Sequence, residues 1–183
     1  MEINWDKAIC MSERFEYHPP SAKRDHILHA LFNDEEAMLP TLAVVYGMSE
    51  ETHKAFREEQ RRGMLEGRSF ILDVLDKKSG DFVAGSGFRF LNGSKAHWRM
   101  MVMPEWHRKG VASEAFQSNI KLEKELLHCT HIETSTLPIN HVMLNFLRKR
   151  GLKELQRKDD EEWIYFEAPI EVVEMKLKSS MND

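Results

Sequence analysis

Apolar side chains recur at two spacings along this chain, every second position in short runs and every third or fourth in longer ones, and the switches between them predict its elements. Residues 1–11 carry no strong pattern and read as a lead-in. Arg14-Phe15-Glu16-Tyr17 alternates polar and apolar before His18-Pro19-Pro20 breaks the run, which predicts a first strand. Ser21 then caps a helix carrying Ile27, Leu28, Ala30 and Leu31, closed by Asn33-Asp34. The patch from Met38 to Tyr46 is interrupted by Pro40 and predicts no single conformation. Ser49, followed by Glu50, Glu51 and Thr52, caps a charged helix running to about Met64, with Gly63 and Gly67 helping to end it.

A meander of three strands is predicted next, Phe70–Leu75, Phe82–Phe90 and Lys95–Met103. Its turns fall at Lys77-Lys78-Ser79-Gly80 and Asn92-Gly93-Ser94, residues that tolerate the positive φ of tight hairpins. Gly85 and Gly87 interrupt the middle strand, as at a bulge or a close backbone approach. Pro104, with no N–H to give a ladder, stops the third strand. A basic loop, His107-Arg108-Lys109-Gly110, leads into Val111, Ala112, Ala115, Phe116, Ile120, Leu122, Leu126 and Leu127, the spacing of a half-buried helix ending near His128. Ile132–Thr136 reads as a strand, and Asn140–Arg150 as a helix with Met143, Leu144 and Leu147 inward and Gly151 at its end. Leu152–Arg157 and Trp163–Phe166 form a closing antiparallel pair around Asp159-Asp160-Glu161-Glu162, and Ile170–Asp183 reads as a tail. The order predicts an α+β fold in a single domain, residues 1–183, with a mixed sheet whose parallel neighbours flank the main helix.

The strand, glycine loop and helix carry the first chemical hint. The opening N–H groups of such a helix are unpaired, the helix dipole adds positive charge, and Arg108 and Lys109 add more, a geometry that suits a phosphate. An ordinary strand-to-helix turn with solvated cations fits the same residues. A strand splaying away from Lys95–Met103 would open a slot for an extended ligand where the helix begins.

Composition narrows the choice of function. The chain has 183 residues, 42% of them apolar, enough for one sizeable core. Charged residues make up 31%, and the net charge of −4 leaves no basic field for nucleic acid. Cys10 and Cys129 lack metal or redox spacing and predict free thiols in a reducing, cytoplasmic setting. No apolar run approaches the roughly 20 residues of a membrane span, and the first residues, MEINWDKAIC, are not signal-like. The histidines are scattered without zinc-like pairs, so no metal site is expected.

The run MPEWHRKGVASEAF resembles motif A of the GNAT superfamily of acyl-CoA-dependent N-acyltransferases, in the phrasing of its RimJ/RimL-like branch. The motif's six loop positions are His107, Arg108, Lys109, Gly110, Val111 and Ala112; the fourth and sixth match, and His107 stands where Gln or Arg is usual. A second landmark, Leu137-Pro138-Ile139-Asn140 through Arg150-Gly151-Leu152, is similar to the family's closing motif. The resemblance covers roughly residues 12–168 and sets residues 169–183 apart as a C-terminal tail. It implies a GNAT-like mixed, mostly antiparallel central sheet with a splayed strand pair, flanked by helices. It also implies acetyl-CoA as co-substrate and an amine acceptor, either a protein N-terminus or a small molecule. The loop would cradle the pyrophosphate, a strand N–H near Met101 or Val102 would polarise the thioester carbonyl, and Asn140 would bind the pantetheine arm, a role compatible with its reading as a helix N-cap. The first helices would roof the acceptor groove, making Met38, Leu42, Val45, Tyr46 and Met48 candidates to face substrate, although each also fits a core position.

Direct acyl transfer requires the amine to lose a proton and the thiolate to gain one. The family's usual Tyr, seven residues after the landmark Asn, is Leu147 here, so that acid is missing and Phe146 and Leu147 read as core. His97 stands where the strand before the motif often carries Glu, and a histidine titrating near ~6.5 could act as base through water. Glu133 is the second candidate, each weighed against a structural or surface role. His107 and His141 lie beside the cofactor landmarks and read as cofactor or solvent contacts. An acyl-CoA sensor without turnover stays open as an alternative, as does a homodimer; a dinucleotide or P-loop domain is disfavoured by the missing Lys-Ser/Thr pair and the strand order.

Overall fold

The period-two runs form strands at Cys10–Met11 (β1), Phe15–His18 (β2), Ser69–Asp76 (β3), Phe82–Leu91 (β4), Lys95–Val102 (β5), His131–Thr136 (β6), Lys153–Leu155 (β7) and Ile164–Pro169 (β8). In the computed structural model, which describes residues 3–38, 46–91, 94–155 and 162–179, they join into one sheet ordered β1-β2-β3-β4-β5-β6-β8-β7. Every described pairing is antiparallel except β5 with β6. That parallel pair requires a crossover, and the helix Val111–Leu122 (α4), continued by a π-helical turn at Glu123–Leu127, supplies it.

The helices divide between the two faces. α4 packs Val111, Ala115, Phe116 and Ile120 on one face, joined there by His141–Lys149 (α5) and Ile170–Ser179 (α6). Asp25–Phe32 (α1), Glu35–Met38 (α2) and Glu50–Leu65 (α3) lie on the other, toward the β2–β4 side. The first layer is apolar, with Trp98, Phe116, Ile132, Leu147 and Phe166 almost wholly buried. The second is pinned by charge: buried Asp73 on β3 accepts from Arg57 Nη2 at 2.9 Å and Arg24 Nε at 2.7 Å, while Arg57 Nε also donates to Asp25 at 2.7 Å. Each buried charge is thus met by opposite charge, and removing one partner from such a pair costs about 3–5 kcal/mol. The pairs fix where α1 and α3 sit over the sheet.

The helix caps form as expected, with Ser21, Ser49 and Asn140 each accepting a backbone N–H of its own first turn. Two readings need correction. The lead-in contains β1, which pairs Cys10 with Tyr17 and Met11 with Glu16, a strand too short to leave a period. The tail is not an appendage to the core: Ile170 and Val173 are buried among Phe116, Ile120 and Leu147. Their three-residue spacing, continued at Leu177, is a helical signal in the sequence. Leu42, Val45, the Asn92-Gly93 turn and residues 156–161 of the closing acidic loop lie outside the described residues.

Candidate active site

Strand β5 and strand β6 pair in parallel at Lys95 with His131, Ala96 with Ile132, and His97 with Glu133. Beyond that last pair β5 runs on to Val102 with no β6 partner, so the strands part and a slot opens toward the loop before α4. Thr134 Oγ1 donates to the Trp98 carbonyl at 3.0 Å and closes the narrow end of the slot. Met103 donates its N–H to Val83 O on β4 at 2.9 Å. Backbone direction alternates along a strand, so the Met101 amide shares that side, while the Met100 and Val102 amides face the slot. Of the two amides expected near the thioester carbonyl, that of Val102 therefore looks into the opening.

At the wide end stands the basic loop. Arg108 has φ 59° and Gly110 φ 77°, and Gly110 serves as N-cap of α4 without a side chain to fill the cap. Alternating left-handed residues turn successive N–H groups toward one concavity, and those from Arg108 to Ser113 have no acceptor among the described residues. The arrangement offers a row of donors with Arg108 and Lys109 exposed beside it, the chemistry of a pyrophosphate site. His107 is exposed at the start of this loop. Its Nε2 donates back to the Val102 carbonyl at 3.0 Å, tying the loop to the end of β5.

The supports of this cradle were not legible in its own sequence. Glu114, in the first turn of α4, accepts from the Arg14 backbone N–H at 2.8 Å, Arg14 Nε at 2.7 Å and Ser12 Oγ at 2.6 Å. Burial works to raise the Glu114 carboxyl, but the hydrogen bonds from Ser12 and Arg14 together with the Arg14 charge hold it below the usual range. Arg150, at the end of α5, lies 3.5 Å over the Phe146 ring and donates from Nη2 to Ser113 Oγ at 2.7 Å. Burial pulls its guanidinium down to about 10.

Asn140 caps α5, its Oδ1 accepting from Met143 N at 3.1 Å, which leaves its amide nitrogen for a ligand. Leu147 is fully buried and Phe146 stacks on Trp98 with ring centroids 6.1 Å apart, so both are core. His97 and Glu133 share the sheet face that α1–α3 partly cover, side by side where the slot begins. Glu133 is mostly buried and paired with Lys95 Nζ at 3.0 Å, and Lys95 also reaches Glu167 at 2.7 Å. Met38 is buried and packs with Leu28, Leu31 and Phe32. Tyr46 is 46% exposed, and the Met48 carbonyl accepts from His29 Nε2 at 3.0 Å. His141 is exposed at the start of α5.

Solved structures share this architecture. An acetyltransferase of the GNAT family from Bacillus anthracis is 18% identical, with 88% of this chain and 98% of that one covered and a TM-score of 0.72. RimL, a ribosomal L7/L12 alpha-N-protein acetyltransferase solved with coenzyme A, is 12% identical over 91% and 99% of the two chains, with a TM-score of 0.75. Spermidine N-acetyltransferase from Vibrio cholerae, solved with CoA and spermine, is 12% identical over 87% and 98%, with a TM-score of 0.73. At these identities the likeness establishes the fold. No curated protein sequence matches the chain. Residues 14–153 match the family described as acetyltransferase (GNAT) domain, a span holding the slot, the loop, α4 and Asn140. The chain belongs to the GNAT acetyltransferase family.

Proposed function

We propose that this protein transfers an acetyl group from acetyl-CoA to a primary amine, a protein N-terminus or a small molecule, by direct attack within a ternary complex. The observation that carries this reading is the parting of β5 and β6 after the His97–Glu133 pair, with the slot leading straight to the donor row of residues 108–113. The pyrophosphate would lie on that row, the pantetheine arm along β5 with Asn140 at its side, and the thioester near the Val102 amide.

The chemistry asks little of the protein. His97, at the narrow end of the slot, takes a proton from the acceptor ammonium through bridging water. The freed amine nitrogen forms a bond to the acetyl carbonyl carbon, and slot-facing amides at Met100 and Val102 bind the developing oxyanion. The C–S bond then breaks, and the thiolate is protonated by water or by the proton the nitrogen sheds. Leu147, buried where a Tyr acid is usual, takes no part. Glu133, held by Lys95, serves to orient His97 and set the local charge, a positioning role.

One feature favours a second reading, an acyl-CoA sensor: His107 stands where Gln or Arg is usual in the loop and ties its Nε2 to the Val102 carbonyl. Thiol release over a panel of amines, run beside acetyl-CoA titration calorimetry, separates the two. Turnover with any amine supports the enzyme; firm acetyl-CoA binding with no turnover on protein N-termini or small amines supports the sensor. Among the described residues no helix is long and apolar enough to cross a membrane. Cys10 and Cys129 are free thiols, each pushed up to about 11 by burial, and a reducing cytoplasmic setting suits them.

A further inference from the structure

The sheet face that presents His97 has a bare patch. On β4, Gly85 and Gly87 stand opposite Met101 and Arg99 of β5, and Arg89 stands opposite His97. A Cβ built on Gly85 would meet no atom of the described residues within 4 Å, so among them the space above it is open. A Cβ on Gly87 would run into the Phe70 carbonyl of β3, so the close approach of that strand keeps position 87 without a side chain. Gly87 is itself buried, so the shallow trough on this face lies over the half-buried Gly85. Met101, packed against the α1 and α2 cluster, lies toward one end, and Arg99 and Arg89 toward the other.

Both arginines are exposed, and no carboxylate among the described residues pairs with either. Lys95 on the same face is, by contrast, occupied by Glu133 and Glu167. Surrounding protein and the Arg89 charge hold the Arg99 guanidinium below the usual arginine range. Two like charges meeting over a concave surface repel one another, and an anion laid between them removes the repulsion while accepting several N–H bonds. Same-face positions along a strand are roughly 7 Å apart, so an anion over Arg99 sits a few bonds from a nitrogen beside His97.

We propose that the acceptor amine carries an anionic group, a carboxylate or a phosphate, which Arg99 and Arg89 hold so that the nitrogen is delivered to His97 at the narrow end of the slot. This assignment rests on the N-acetyltransferase reading and narrows its substrate class. The arginines are positioned to select the acceptor and take no part in acetyl-CoA binding, which occurs along the opposite side of β5 and at the α4 loop.

The test compares amines of similar basicity that differ in the anion: 4-aminobutyrate against butylamine, and 3-aminopropyl phosphate against 3-aminopropanol. The wild-type protein is expected to favour the anionic member by about 10- to 100-fold in kcat/KM, the range given by charge-assisted hydrogen bonds, and the larger of the two ratios identifies the anion. Arg99→Ala should bring that ratio close to one, Arg89→Ala should lower it less, and Arg99→Lys should restore part of it. The KM for acetyl-CoA should stay the same throughout. Equal use of anionic and neutral amines, or a ratio unmoved by both alanine variants, overturns the proposal. Calorimetric binding of 3-aminopropyl phosphate to the protein–CoA complex gives a readout that needs no turnover. Binding weakened about tenfold by Arg99→Ala supports the anion site even where acetyl transfer fails, and binding that is absent or indifferent to Arg99 overturns it.

Discussion

Arg14 and Glu114, 100 positions apart in sequence, are joined twice, through the Arg14 backbone N–H at 2.8 Å and its Nε at 2.7 Å. Arg14 Nη1 also donates to the Lys109 carbonyl at 2.9 Å. The β1–β2 hairpin thereby grips the proposed phosphate loop and the helix that follows it. Pinning the loop in its binding shape lowers the ordering cost of binding.

Glu114→Gln and Arg14→Ala are accordingly expected to weaken acetyl-CoA binding by about tenfold each, with the double variant little worse than either. Calorimetric Kd values check this, and fully additive losses would show that the two residues act apart. Because the folded-state pKa of Glu114 is depressed, its stabilising contribution is present above the unfolded value near 4.5 and is lost as pH falls through the folded one. Melting temperature on acidification should fall more steeply for wild type than for Glu114→Gln.

Backbone and charge in the loop can be separated at neighbouring positions. Arg108 is a non-glycine residue at φ 59°, a conformation that costs roughly 1 kcal/mol. Arg108→Gly should therefore raise stability by about that amount while weakening acetyl-CoA binding and flattening its salt dependence. Gly110→Asp should weaken binding far more, since it places a carboxylate against the donor row, and a Cβ there already lies 3.3 Å from Arg14 Nη2. Equal effects of the two substitutions on Kd would remove the backbone cradle as the main anchor.

In the proposed mechanism the chemistry hangs on one basic group. His97→Ala is expected to lower kcat by about 10²–10⁴-fold, the range for a general base, with little change in acetyl-CoA affinity. In the wild type kcat/KM should rise with pH to a plateau, with no fall near ~10 where a tyrosine acid would titrate. Unchanged turnover in His97→Ala leaves Glu133 or an ordered water as the base.

Glu123 is a stability liability at the start of the π-helical turn after α4. It is fully buried, neither oxygen has a protein partner among the described residues, and burial pushes its carboxyl up to about 9. The folded chain therefore keeps a proton that the unfolded chain has released, and stability falls as pH rises from the unfolded value near 4.5 toward about 9. At about 1.4 kcal/mol per pH unit, the loss by pH 7 is roughly 3 kcal/mol. Glu123→Gln should melt higher than wild type at pH 7 to 8, with the curves converging near pH 4; parallel curves would mean that Glu123 is hydrated and ionised.

Contiguous residues carried what was legible from sequence. The strand ending at Pro104, the loop with Gly110 and the buried stripe Val111, Ala115, Phe116 and Ile120 lie within one short stretch, so their conformations and joint chemistry follow from local sterics and periodicity. Leu147 was legible as core for the same reason, at the inward spacing of α5. The helical tail was also written there, in the spacing of Ile170, Val173 and Leu177, whereas β1 at Cys10 and Met11 is too short to leave a period. Tertiary structure alone decided which distant residues meet. The register of β5 on β6 set His97 beside Glu133, pairing on β4 set Arg99 over a glycine, and the N-terminal hairpin brought Arg14 to Glu114. Such contacts arise from strand order and from the closure of long loops, which no single segment encodes.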